Sequence, residues 1–218
     1  MRRQPQSTLE PRKSPVQARS TASVEAILKA TIQVLLKSGK ERLTTTLVAA
    51  RAGVSVGTLY QYFPNKSALL RAALQRHMDE IGSAIETVCR NESGSTLQKM
   101  ATALVTDFLE AKMKDAKTSV ALYSVSSDVD GARISREMSQ RTNRAIVAML
   151  ASAKDQLTTD PHLVASMLQA AMAGVSRHLL ESPSPESNFA KLRDELVLLV
   201  STYLRACSKG SAQRPGTR

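Results

Sequence analysis

The stretch GVSVGTLYQYFPNK, from Gly53 to Lys66, holds two of the chain's four tyrosines and one of its three phenylalanines, although aromatic residues are only 3% of the 218. Extended upstream to Leu43 it reads LTTTLVAARAGVSVGTLYQYF, which predicts two short helices broken at Gly53 and stopped at Pro64. Two short helices packed at a steep angle impose chemistry at a few positions. A small residue is needed where they touch, and Ala49 supplies it. Four residues later the turn needs a positive φ, which Gly53 adopts at no steric cost. Val48, Ala52, Val54 and Leu59 are spaced to brace the pair from inside.

Placed on a helical wheel, the second short helix has Ser55 as its cap and Leu59 and Phe63 on the inner side. Gly57, Thr58 and Gln61 fall opposite, flanked by Val56 and Tyr60. This face is short, polar and uncharged, and its glycine permits close approach. Such a surface suits a DNA major groove, where Gln pairs with adenine and a Thr or Val methyl meets the thymine methyl. The hydroxyls of Tyr60 and Tyr62 are placed to reach phosphates while their rings cover the helix base. Asn65 reads as the cap of a long following helix, so Lys66 stands in its first turn, where a cation faces the positive end of the helix dipole. An anion docked at that terminus removes the conflict. Thr44, Thr45 and Thr46 open the first short helix, one as cap and the others with hydroxyls free to meet phosphates. The expected DNA-facing set is Thr45, Thr46, Ser55, Val56, Gly57, Thr58, Tyr60, Gln61, Tyr62 and Lys66.

Charge points the same way. The chain carries a net +11, of which residues 1–67 contribute +8 and residues 68–218 only +3. That asymmetry is expected of a nucleic-acid-binding module joined to a nearly neutral domain. Residues 1–21 hold three prolines and no apolar period, and read as a flexible basic arm. A helix follows, with Ser23 as cap, apolar positions at Val24, Ile27, Leu28 and Leu35, and Gly39 at its end.

Beyond Pro64 every segment reads as helix, with Asp160 and Pro161 opening the one before last. The expectation is an all-α chain of about nine helices, in which 22–68 form the DNA-binding domain, 69–207 a ligand-binding and dimerisation domain, and 208–218 a frayed tail. No apolar run long enough for a membrane span occurs, and the basic N-terminus lacks the apolar stretch of a secretory signal, so a cytoplasmic protein is expected. The three histidines have no metal-site spacing, and neither a nucleophile elbow nor a phosphate loop is present. No catalytic residue, metal or cofactor is expected. Cys89 and Cys207 read as reduced.

The stretch LTTTLVAARAGVSVGTLYQYFPNKSALL resembles the DNA-binding signature of the TetR (tetracycline repressor) family of bacterial regulators, densely from about Ala22 to Leu74. The resemblance implies an N-terminal three-helix helix-turn-helix head, a long fourth helix over Asn65–Arg90, and a C-terminal helical bundle that dimerises and binds a small-molecule effector. By matching position, Thr45, Tyr60 and Lys66 would contact phosphates, and Val56, Gly57, Thr58 and Gln61 bases. Thr46 and Val56 stand where relatives often carry Arg, Lys or Gln, which shifts recognition toward methyl contacts and DNA shape. The implied function is repression by a homodimer, joined through about 161–181 and 188–207, on a palindromic operator. An activator of the same fold and a non-specific DNA-binding protein are the alternatives. His77, Tyr123 and His178 are the candidate effector contacts.

Overall fold

Thr44, Ser55, Thr96 and Asp160 each precede a helix in the computed structural model, and each side chain accepts a hydrogen bond from a backbone N–H of the first turn. Capping satisfies a donor that a helix start leaves without an intrahelical partner, so these residues decide where helices begin. The structure describes residues 18–182 and 185–208. Among them are nine α-helices: α1 (Ala18–Arg42), α2 (Thr45–Ala52), α3 (Val56–Tyr62), α4 (Lys66–Asn91), α5 (Leu97–Met113), α6 (Ala116–Ser124), α7 (Gly131–Ala151), α8 (Pro161–Glu181) and α9 (Pro185–Ala206). A 3-10 turn, Ser126–Asp128, lies between α6 and α7. No strand occurs among the described residues beyond an isolated bridge between Leu157 and Ser208. The all-α class and the number of helices agree with expectation.

Three boundaries differ from the sequence reading. α1 begins at Ala18, so residues 18–21 are helical and Ser23 lies inside the helix. Ser and Thr are only mildly unfavourable in a helix, and Ala18 and Ala22 favour it, so nothing interrupts propagation toward the N-terminus. The rest of the expected arm, residues 1–17, lies outside the described residues, as do residues 209–218 of the expected tail. Ser208 is fixed by its bridge to Leu157, and the neighbouring Cys207 carbonyl accepts from the Thr158 N–H at 2.7 Å. α9 starts at Pro185 instead of Asn188, because proline lacks only an N–H that the first helical turn does not need.

The described residues up to Met78, together with 117–135, form one compact unit, and the remainder from Asp79 forms a second. The expected boundary at 68/69 falls inside α4. A continuous helix carries no break in its sequence, so packing alone sets where one group of contacts gives way to the next.

In the first unit, Ile27, Leu43, Val48, Ala49, Leu59, Phe63 and Leu69 are essentially inaccessible, and Leu122, Val125, Val129 and Ile134 of the 117–135 segment are also buried. Each buried Val, Leu, Ile or Phe side chain among them contributes about 1.5–3 kcal/mol. The buried Thr31 hydroxyl donates to the Ile27 carbonyl at 2.8 Å, so its polarity is satisfied within α1.

In the second unit, α5 packs against α8 and α9, and α8 against α9. Met100, Leu104, Val105 and Leu109 of α5 are buried, with Val164, Leu168, Met172 and Leu179 of α8 and Leu196, Val200 and Leu204 of α9. Many apolar residues of the last two helices therefore belong to the protomer's own core. A different set on the same helices is exposed: Leu163 (54%), Met167, Leu198 (62%) and Leu199. Arg141 of α7 reaches Asp79 Oδ1 at 3.0 Å and Glu86 Oε1 at 2.9 Å on α4. Gly82, between them on α4, leaves room for this guanidinium, into which a Cβ would run. Both cysteines are free and buried, and burial, helped by Glu86, pushes the Cys89 thiol up to about 12.

Candidate nucleic-acid interface

The corner between α2 and α3 is built from local hydrogen bonds. The Thr44 hydroxyl accepts from the Leu47 N–H, and Gly53, at φ 69 and ψ 29, closes α2 with its N–H directed to the carbonyls of Ala49 and Ala50. Ser55 Oγ accepts from the Thr58 N–H at 2.9 Å and starts α3. Phe63, extended at φ −124, ends α3, and Asn65 Oδ1 accepts from the Ala68 N–H at 2.8 Å to start α4. With Ala49 and Leu59 fully buried between the helices, the orientation of α3 is set by packing and both its ends by caps.

Of α3, Leu59 and Phe63 point inward as expected, and Val56, Gly57, Tyr60 and Gln61 are exposed. Thr58 and Tyr62 are half-buried, and the Thr58 hydroxyl lies 2.8 Å from Ser55 Oγ, so the pair holds the helix start. Thr46 and Ser55 are exposed. A Cβ at Gly57 would meet only Ser55 Oγ, at 3.7 Å. The protein's own packing therefore does not require glycine there. No charged residue lies on α3.

Around this strip the structure joins residues that sequence spacing treats separately. Thr45 Oγ1 and Tyr60 Oη are 3.0 Å apart, a hydrogen bond across the two helices. Lys66 Nζ donates to the Lys40 carbonyl at 2.7 Å. The ammonium expected to oppose the dipole of its own helix is thus held by a carbonyl just after the Gly39 kink, at the end of α1. Lys40 went unnoticed in the sequence reading, because no short-range pattern links positions 26 residues apart.

The candidate effector contacts lie on three different helices, α4, α6 and α8. His77 Nε2 lies 3.0 Å from Ser119 Oγ, within the first unit. Tyr123 is 53% exposed on α6, and His178 is exposed near the end of α8. Among the described residues no helix is long and apolar enough to cross a membrane, and no group of three or more His, Cys, Asp or Glu could hold a metal ion.

Two family models match the chain. One, bacterial regulatory proteins of the tetR family, matches residues 27–73, and the other, the tetracyclin repressor-like C-terminal domain, matches residues 96–204. The HTH-type transcriptional repressor KstR of Rhodococcus jostii is 49% identical over 57 residues, 26% of this chain and 27% of the relative. The match thus spans about a quarter of that relative's length and falls short of its whole. Among solved structures, a transcriptional regulator from Rhodococcus sp. Rha1 superposes with TM-score 0.66 at 21% identity, covering 87% of this chain and 99% of that one. SmeT, the repressor of the Stenotrophomonas maltophilia multidrug efflux pump SmeDEF, gives TM-score 0.65 at 22% identity, over 91% and 96%. At such identities the two structures establish the fold.

Proposed function

The chain belongs to the TetR family of bacterial regulatory proteins, and we propose that it is a DNA-binding transcriptional repressor, acting in the cytoplasm as a homodimer on a palindromic operator and released by a small molecule. The observation that carries this reading is the exposed, uncharged strip of Val56, Gly57 and Gln61 on a helix fixed at both ends. In this reading the strip enters the major groove, with Gln61 on adenine and the Val56 methyls on thymine. The linked Thr45 and Tyr60 hydroxyls and the Lys66 ammonium face phosphates on either side. Thr46, Ser55 and Tyr62 lie at the rim, and Thr58 supports the helix start more than it reads bases.

One head is a small binding unit. The exposed Leu163, Met167, Leu198 and Leu199 on α8 and α9 are the apolar surface that a second copy would cover. Two heads held about 34–36 Å apart, or a multiple of it, would read the halves of a palindrome. Repression follows KstR and SmeT, both named repressors, and the effector follows SmeT, of which a complex with triclosan has been solved. Family and fold are those of transcriptional regulators, not of enzymes.

The test is selection of duplexes from a random pool by the purified protein, followed by titration of the selected complex with panels of metabolites and drugs. A palindromic consensus, and a compound that weakens its binding, are expected. Enrichment of no sequence over the starting pool would remove the operator, and with it the repressor.

A further inference from the structure

The hydrogen bond from Lys66 to the Lys40 carbonyl brings two lysines to one corner of the first unit. The Lys40 side chain is not idle there: its ammonium forms an ion pair with the carboxylate of Asp128, in the 3-10 turn after α6. That turn is tightly made. Asp130 adopts a left-handed φ of 58, and a Cβ at Gly131 would lie 2.7 Å from the Ser126 carbonyl oxygen, so the backbone presents Asp128 from a fixed position. Both partners remain more than a third exposed, Lys40 at 38% and Asp128 at 39%, so the pair is open to exchange with another anion.

We propose that Lys40 is a second phosphate-binding lysine of the head, held in reserve by Asp128, which occupies the place that a duplex phosphate would take. The proposal rests on the reading of the first unit as a DNA-binding head. Two anions cannot share one ammonium without mutual repulsion at short range. A phosphate that reaches the Lys40 ammonium therefore competes with Asp128 for it, and its engagement requires Lys40 to leave the carboxylate. Asp128 belongs to the 117–135 segment, distant in sequence from the helix-turn-helix yet packed in the same compact unit. Any event that draws this turn away from α1 frees Lys40 for DNA, and any event that presses it closer withholds the lysine.

The experiment titrates a selected duplex with the full chain and with Asp128→Asn, Asp128→Glu, Lys40→Met and the Lys40→Met/Asp128→Asn double variant, across a range of salt. Thermal melting verifies that each variant is folded. Asp128→Asn is expected to bind about three- to tenfold tighter at low salt, and its plot of log affinity against log salt to steepen by about one for each protomer bound. Asp128→Glu, which keeps the charge, should behave like the parent. In the Lys40→Met background, Asp128→Asn should change nothing, because the lysine it would release is gone. An unchanged affinity and salt slope for folded Asp128→Asn overturns the proposal. A gain that persists without Lys40 also overturns it, since the carboxylate would then act only through its general field. If the parent binds no duplex, the operator reading falls as well; if the parent binds and Asp128→Asn is silent, only the reserve lysine falls.

Discussion

Thr45 Oγ1 and Tyr60 Oη, on different helices of the head, lie 3.0 Å apart. The bond ties the first turn of α2 to the outer side of α3 and holds both hydroxyls at the edge of the strip that would enter the groove. Tyr60→Phe and Thr45→Val each remove it, at a cost of about 0.5–1.5 kcal/mol in urea unfolding, because it is a neutral bond near solvent. The double variant should cost little more than either single one, and a fully additive loss would show that the two hydroxyls do not act together.

Gln61→Ala is expected to cost about 1–3 kcal/mol of duplex affinity at one base pair per half-site and to relax preference there. Lys66→Ala should weaken binding evenly across sequences and flatten the salt dependence. It should also lower the melting temperature, because its bond to the Lys40 carbonyl holds the end of α1. Binding to a panel of single-base variants separates the two, and a change of preference in Lys66→Ala with none in Gln61→Ala would reverse the groove assignment.

Two exposed glycines should respond in opposite ways. At Gly57 an added methyl meets only Ser55 Oγ at 3.7 Å, and alanine is the better helix former by up to about 1 kcal/mol, so Gly57→Ala should stabilise the fold and weaken duplex binding. Gly53 also has open space around it, but its φ of 69 disfavours any side chain, and Gly53→Ala should destabilise by about 1–2 kcal/mol. Unfolding and duplex titration of both variants test the contrast, and equal duplex affinity for Gly57→Ala and parent would show that nothing approaches there.

Leu198, at 62% exposure, makes little contact within its own protomer. Leu198→Glu should leave melting of the isolated protomer nearly unchanged and shift sedimentation from dimer to monomer, with loss of palindrome binding. A dimer that survives this change and Met167→Glu together places the interface elsewhere.

Burial raises the Cys89 thiol from an ordinary 9.0 to about 12. The folded state therefore keeps a proton that the unfolded chain releases, and the stability this contributes is fully present below about pH 9 and lost as pH rises toward about pH 12. Cys89→Ala should show a shallower loss of stability across that window. Alkylation of either buried cysteine at pH 8 should proceed only as fast as the protein opens.

The helices and the outline of the head are legible in the sequence because the signals are local. The caps at Thr44, Ser55, Asn65 and Asp160 act on N–H groups two or three residues ahead, and the wheel of α3 separates Leu59 and Phe63 from Gln61 within about one turn. Gly53 is legible for the same reason, since its positive φ is a property of one residue. Only tertiary structure decided which apolar residues of α8 and α9 enter the protomer core and which stay outside, because both sets recur at helical spacing. It alone grouped 117–135 with the head, turned Lys66 toward Lys40, and set Asp128 against that lysine. Those contacts join residues far apart along the chain, and their partners are selected by the packing of whole helices, which no local pattern of residues encodes.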